Sequence, residues 1–406
     1  MNIGILSLVS AVSNRQKIEQ SLQEYTAVFE EFAVDFLAMG SPKEIEQYNP
    51  IFIFVKSGGT ENQLREIYRY IKGEVYFLTT PFNNSLAAAM EMLTWLKRQG
   101  GTGEIIHGTP DEVREQISAI TKIKKAGQKM ARSVLGLIGP PSDWLIASMV
   151  DPAIVKSNWG VEIKELAISE VIDYYHQVGR EEGAELSREI TRKAVAVKES
   201  DLNDLEEAVR LYLALQELIK QQQLSALTIR CFDLVGKIGT TGCLALSLLN
   251  DQGIIAGCEG DVPTTLSMML AYYLTDSVSF MANPVSIDSS NRKVKFAHCT
   301  VPFALIRNYL LSSHFETGKG IGIQGIINEG PVTVFKIGGE NLAQYIIMPG
   351  QLLINTDDHN CCRTQIEVQV DNLDYFLTEP IGNHHLIIPG DHSYLLNKYF
   401  SAQGRD

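Results

Sequence analysis

Across residues 1–130 the chain alternates short apolar runs with amphipathic segments, and this rhythm constrains the fold more than any other feature. Ile3–Leu8, Ile51–Val55 and Val75–Thr79 have strand length, and stretches with helical spacing lie near Gln16–Phe32, Glu61–Ile71 and Ser85–Lys97. The alternation predicts βα units on a parallel sheet. Lys56-Ser57-Gly58-Gly59-Thr60-Glu61 falls between a strand and a helix, on the face where open α/β sheets bind ligands. It has neither a phosphate-loop lysine nor Gly-x-Gly-x-x-Gly spacing, which counts against a nucleotide or nicotinamide site. A tight turn with Thr60 as helix N-cap accounts for it equally well.

A second α/β unit is predicted to begin with the strand-like Ser133–Gly139, followed by the loop Pro140-Pro141-Ser142-Asp143-Trp144. Either Ser142 or Asp143 suits a helix cap or a ligand contact. Charged helix is expected from Glu181 to Gln223, a strand over Ala226–Phe232, and a loop over Asp233–Thr241 carrying Lys237, Thr240 and Thr241. Beyond about residue 275 the pattern changes to short strands between Gly, Asn and Asp turns, clearest at Val332–Ile337, Leu352–Ile354 and Gln365–Val370. The expected architecture is therefore α/β: two parallel-sheet domains, 1–130 and 131–275, then a β-rich, barrel-like C-terminal domain, 276–406.

A net charge of −13 argues against general nucleic-acid binding, which needs basic patches for phosphate neutralisation. No apolar stretch reaches the roughly 18–20 residues that span a bilayer, so no membrane association is expected. The apolar start, Met1–Val9, reads as a first strand because the first basic residue, Arg15, comes after the run. All six cysteines lie in the second half without a Cys-x-x-Cys pair, as expected of buried thiols in a cytoplasmic protein.

Cys258-Glu259-Gly260-Asp261 concentrates chemistry at one point. It sets two carboxylates two residues apart, between the strand-like Ile254-Ile255-Ala256 and an apolar helical stretch from Leu266 to Leu274. A strand end feeding a helix N-terminus favours negative charge. Asp261 fits either a capping role or an acid/base role. Six of the eight histidines, His298, His314, His359, His384, His385 and His392, lie beyond residue 297. Histidine is a common metal ligand, and with Glu259 it suits a mixed O and N cation site. His384-His385 precedes an apolar strand, where neighbours face opposite sides, so one of the pair enters a shared site.

Glu259 in its Cys-Glu-Gly-Asp setting, His298-Cys299, and Gly382-Asn383-His384-His385 with Gly390-Asp391-His392 resemble the C-terminal half of the L-fucose isomerase family, related to L-arabinose isomerase. Ser57-Gly58-Gly59-Thr60-Glu61 and Asn84-Ser85-Leu86 resemble the N-terminal sheet of its shorter relatives. The resemblance implies a homo-oligomer and an aldose–ketose isomerase using Mn²⁺, or another divalent cation, held by a glutamate, an aspartate and a histidine. Carried across, these are Glu259 as ligand and base, and His384 as ligand with His385 as the register alternative. The family's second carboxylate falls on Asn283, an amide that can coordinate a cation but cannot accept a proton near neutral pH. Asp261 and Asp288 are the candidate substitutes, and Asp261, closer in sequence to Glu259, is the candidate acid. Ser142, Trp144, Arg230, Asp233, Lys237, His298 and Arg363 are expected sugar or supporting contacts. Arg230 or Lys237 would suit a sugar with an anionic group at C6. A relative that binds sugar without turning it over is the alternative that Asn283 raises.

Overall fold

The computed structural model describes residues 2–404 and divides into two compact units, Met1–Lys122 and Ile123–Asp406. In the first unit β1 (Ile3–Leu8), β2 (Val34–Leu37), β3 (Ile51–Val55), β4 (Val75–Leu78) and β5 (Gly103–Ile106) form a parallel sheet in the order β2-β1-β3-β4-β5. All five residues of β3 are buried, because helices cover both faces of a parallel sheet. One face packs Phe52, Phe54 and Tyr76 with Phe29 and Ile117, and the other packs Ile53 and Phe77 with Met92 and Leu96. The short strands β2 and β5 are the two that periodicity does not reveal. Their burial is incomplete and includes exposed positions, so no apolar run marks them.

The second unit contributes β6 (Val134–Ile138), β7 (Glu162–Leu166), β8 (Ala196–Val197), β9 (Ala226–Ile229) and β10 (Ile255–Cys258). Of these, β10-β9-β6-β7 make a four-stranded parallel sheet, and β8 joins a separate small sheet. Phe232, expected to end a strand, and residues 233–238, expected as loop, form a helix, Phe232–Ile238, that buries Leu234 and ends at the left-handed Gly239. A second helix, Cys243–Asp251, follows it, and seven of its nine residues are buried.

The remaining strands are β11 (Phe280–Asp288), β12 (Lys293–His298), β13 (Ile306–Ser312), β14 (Gly322–Ile327), β15 (Gly330–Gly338), β16 (Gln344–Asn355), β17 (Thr364–Val370) and β18 (His385–Pro389). Six of them close into an antiparallel barrel, β11-β12-β17-β16-β15-β18, as the C-terminal pattern predicts. Closure leaves no unpaired edge. Pro284, which has no N–H for a ladder, sits where the β11–β12 register shifts. Phe280, Phe296, Val334, Ile366 and Ile387 fill one core on the barrel, while Phe335, Ile337, Leu386 and Ile388 pack with the parallel sheet and the helix Val262–Thr275. Adjacent strand residues thus serve two different cores, which is what brings the sheet loops and the barrel ends to one place.

No single helix among the described residues is long and apolar enough to cross a membrane.

Candidate active site

Strand β10 ends at Cys258, and the chain turns through two successive left-handed residues, Glu259 (φ 64°) and Gly260 (φ 72°), into the helix Val262–Thr275. Only glycine fits at 260: a Cβ there would stand 2.8 Å from Pro141 Cα. Glu259, by contrast, is a side chain held in a conformation that costs L-residues about 1–2 kcal/mol. Backbone strain of this kind persists where the surroundings impose it, and functional sites are where it clusters.

The surroundings are specific. Ser142 N–H donates to the Glu259 carbonyl at 2.9 Å. Trp144 Nε1–H donates to Glu259 Oε2 at 2.6 Å, and Glu259 Oε1 lies 3.7 Å from His384 Nε2. Burial alone would raise the Glu259 pKa, but His384, His298 and the Trp144 N–H together hold it below the ordinary carboxylate value. On its other side His384 Nδ1–H donates to Asp261 Oδ2 at 2.9 Å, since an ionised carboxylate can only accept. Burial pushes the His384 imidazole down, yet the two flanking carboxylates overcome it and bring its pKa to about 9.

Asp261 is fully buried and takes the capping role of the two that the sequence leaves open. It caps the helix, with Oδ1 accepting from Thr264 N–H at 2.9 Å, and its Oδ2 accepts from Thr264 Oγ1 at 2.8 Å as well as from His384. Lys336 on β15, also fully buried, donates to Thr264 Oγ1 at 2.9 Å, and its charge helps hold the Asp261 carboxyl well below the carboxylate range against burial. With its oxygens so occupied, Asp261 orients His384 and is not presented as the free acid expected of it.

His385 points the other way. Its Nδ1–H donates to the Asn383 carbonyl and its Nε2 accepts from Tyr375 O–H, both at 2.9 Å, beside Phe296 and Phe376. Strand alternation therefore assigns the register to His384. Asn283 is half-buried on β11, and its carboxamide oxygen accepts from Asn383 Nδ2 at 3.1 Å. That bond ties it to the loop before His384, not to Glu259.

His298, expected as a sugar contact, lies beside Cys258, Glu259 and His384. It ends β12 with its ring 5.4 Å from that of His384, and Thr300 Oγ1 meets its Nδ1 at 2.8 Å. Burial drives its pKa down to about 3, keeping the ring neutral and able to coordinate. Cys258 Sγ, a Glu259 carboxylate oxygen and a His298 ring nitrogen lie within 4.8 Å of one another. His384 Nε2 is buried and has no hydrogen-bond partner. A buried Nε2 without a hydrogen-bond partner, 3.7 Å from a carboxylate and with its opposite nitrogen locked by another, can coordinate a metal once it gives up its proton, a loss that a bound cation would drive. The residues present therefore fit a divalent cation. Cys258 is the donor that sequence reading passes over, because a strand-end cysteine carries no spacing signature.

The other expected contacts separate. Arg230 pairs with Asp143 at 2.8 Å and Asp233 at 3.0 Å and donates to the Pro141 carbonyl at 2.8 Å, so Arg230 and Asp233 clamp the 140–144 loop instead of facing a ligand. Arg363 is likewise engaged, with Glu199 at 2.6 Å and the Ser313 carbonyl at 2.8 Å. Ser142 Oγ is buried without a partner, Trp144 is half exposed with its ring edge on Phe232, and Lys237 is exposed in the last turn of its helix. His314 also packs on Phe232, with ring centroids 5.4 Å apart, on the loop that carries Glu316. Partial burial and the charge of Glu259 raise the Glu316 pKa, and no motif in the sequence points to this carboxyl.

Residues 150–276, a stretch that includes Glu259 and Asp261, match the family model of the L-arabinose isomerase central domain. The chain is similar to sulfoquinovose isomerases: that of Clostridium sp. (strain MSTE9) at 25% identity over 70% of this chain and 66% of the relative, and that of Alkalicoccus urumqiensis at 23% over 63% and 59%. That of Priestia megaterium follows at 20% over 63% and 58%. The aligned part is thus less than two thirds of each relative's length. The similarity is to arabinose and fucose isomerase-like sugar isomerases as a group, and it does not single out the L-fucose isomerase that the motifs suggest.

Proposed function

We propose that this chain is an aldose–ketose isomerase that moves a proton between adjacent sugar carbons through an enediol. The observation that carries the reading is the buried, partnerless His384 Nε2 facing Glu259, inside a segment matching a sugar-isomerase domain. Glu259, His298 and His384 would hold a divalent cation, manganese by the sequence resemblance. When bound, such an ion supplies Lewis acidity to the sugar oxygens, where charge develops. Glu259 accepts the carbon-bound proton at a carboxylate oxygen, while Trp144 fixes the other oxygen. Asp261 holds the His384 tautomer, and Lys336 and Thr264 hold Asp261. Glu316, whose proton affinity rises through partial burial and the charge of Glu259, is the candidate to return the proton in place of the engaged Asp261.

Similarity to sulfoquinovose isomerases supports a substrate with a sulfonate at C6. Of the two cations suited to an anionic substituent, Arg230 is already neutralised by two aspartates, which leaves Lys237. The second reading, a sugar-binding relative without turnover, draws on the carboxamide at Asn283.

The deciding experiment incubates the protein with Mn²⁺, Co²⁺ or Zn²⁺ and a sugar panel including sulfoquinovose in D₂O, followed by NMR. Isomerisation with deuterium entering the carbon next to the carbonyl is expected. Sugar binding without conversion for every metal and sugar would overturn the isomerase in favour of the second reading.

A further inference from the structure

Charge at the cation site does not balance with the donors that the resemblance supplies. Asp261 and Lys336 are both fully buried and offset each other through Thr264. Of the donors that the resemblance supplies, Glu259 is then the one anion left for a doubly charged ion, because Asn283 is an amide bonded to Asn383, and Glu316 is exposed to solvent. An uncompensated charge in a buried site is costly, so a second anion is to be sought among the groups already there. Cys258 is 3% exposed, its backbone is fixed by pairing β10 with β9 at Ile229, and its sulfur converges with Glu259 and His298 within 4.8 Å.

We propose that Cys258 gives its thiolate to the same cation as Glu259 and His298, so that this chain's centre is a mixed carboxylate, imidazole and thiolate site preferring a borderline ion such as Co²⁺ or Zn²⁺ to Mn²⁺. The inference rests on reading the site as a metal centre and adds the ligand that sets which metal it takes. Sulfur is a soft donor and shifts selectivity away from hard ions. On binding, the thiol releases its proton to solvent and the S–M bond takes its place, so the one carboxylate and one thiolate neutralise the ion. Cys231 Sγ lies 3.1 Å from Cys258 Sγ, and its S–H donates to the thiolate as an outer-shell partner. Cys231 is accordingly a positioning residue and not a ligand.

The test loads reduced, metal-free protein with Co²⁺ and records its absorption spectrum alongside the bound-cobalt stoichiometry. Expected are one cobalt per chain, an intense near-ultraviolet thiolate-to-cobalt charge-transfer band in the unaltered protein, loss of that band in Cys258→Ser, and its retention in Cys231→Ser. Cobalt bound with visible bands but without the charge-transfer band overturns the thiolate ligand and leaves the metal centre standing. A band that survives in Cys258→Ser overturns it too, assigning the sulfur elsewhere. No cobalt bound at all overturns the metal reading beneath it. Should Cys258→Ser not fold, X-ray absorption of the cobalt-loaded unaltered protein counts sulfur neighbours directly: one sulfur supports the proposal and none overturns it.

Discussion

Two loops in this chain do the same backbone job with opposite chemistry. In the first unit, Lys56–Thr60 leads from the fully buried β3 into the helix Glu61–Ile67, and in the second, Cys258–Asp261 leads from the fully buried β10 into the helix Val262–Thr275. Both turn through left-handed residues. The first uses Gly59 (φ 75°) and neutral hydroxyls, Ser57 Oγ accepting from Ser10 N–H and Thr60 Oγ1 donating to the Ser57 carbonyl. Thr60 therefore stands at the N-cap position without the side-chain cap expected of it. The second puts a glutamate in the left-handed position and a buried aspartate at the cap. Neutral parts suffice for a turn, so strain and buried charge at 259 and 261 point to chemistry, where local rules are expected to be broken.

The largest effect should come from the two caps. Asp261→Ala leaves Lys336 buried without its counter-charge and His384 with Glu259 alone, which for a broken buried network costs about 3–5 kcal/mol. Thr60→Ala removes one neutral hydrogen bond, worth about 1 kcal/mol. Urea unfolding of both variants measures the difference. Equal losses would mean that the aspartate is only a cap and that the contrast between the loops is superficial.

Much of this contrast is legible in sequence, and the missing part has physical causes. Apolar runs reveal β3 and β10, and the change of period near residue 275 reveals the barrel, because burial on both faces or on alternate faces leaves a one-dimensional trace. Cys258-Glu259-Gly260-Asp261 is conspicuous for the same reason: charge next to a buried strand. Which histidine turns inward is decided by the pairing of β18 with β11 and β15, a relation between distant segments. The fate of Arg230 and Arg363 was hidden for a similar reason. Their aspartate and glutamate partners Asp143 and Glu199 lie 87 and 164 residues away. Lys336 was readable in principle, as a lysine inside the strand Val332–Ile337, where a buried cation calls for a buried anion.

Turnover tests the same comparison on the functional side. Glu259→Gln keeps the shape and the Trp144 contact but removes the carboxylate that accepts the proton, so the rate should fall by about 10²–10⁴-fold in any assay that detects isomerisation. Far-ultraviolet circular dichroism and metal content must be unchanged in fold and recorded for the loss to be read as chemistry. A variant that folds, binds metal and retains full activity would remove Glu259 from the proton path.

The smallest effect is the sharpest test of what the two turns share. At an ordinary helix or strand position alanine stabilises relative to glycine, but a left-handed φ reverses the order because the Cβ crowds the following carbonyl. Gly59→Ala should therefore destabilise by about 1–2 kcal/mol. At residue 259 the comparison is made between two variants that both lack the carboxylate, so that electrostatics cancel: Glu259→Gly should be more stable than Glu259→Ala by a similar margin of about 1–2 kcal/mol. Matching differences at 59 and 259 in thermal unfolding would mean that the backbone demands are the same and that glutamate is tolerated at 259 for its carboxylate. If alanine proves as stable as glycine at 259, the turn relaxes when the side chain is shortened, and the left-handed geometry is then a consequence of the Glu259 contacts with Trp144 and His384 instead of a demand made by the fold.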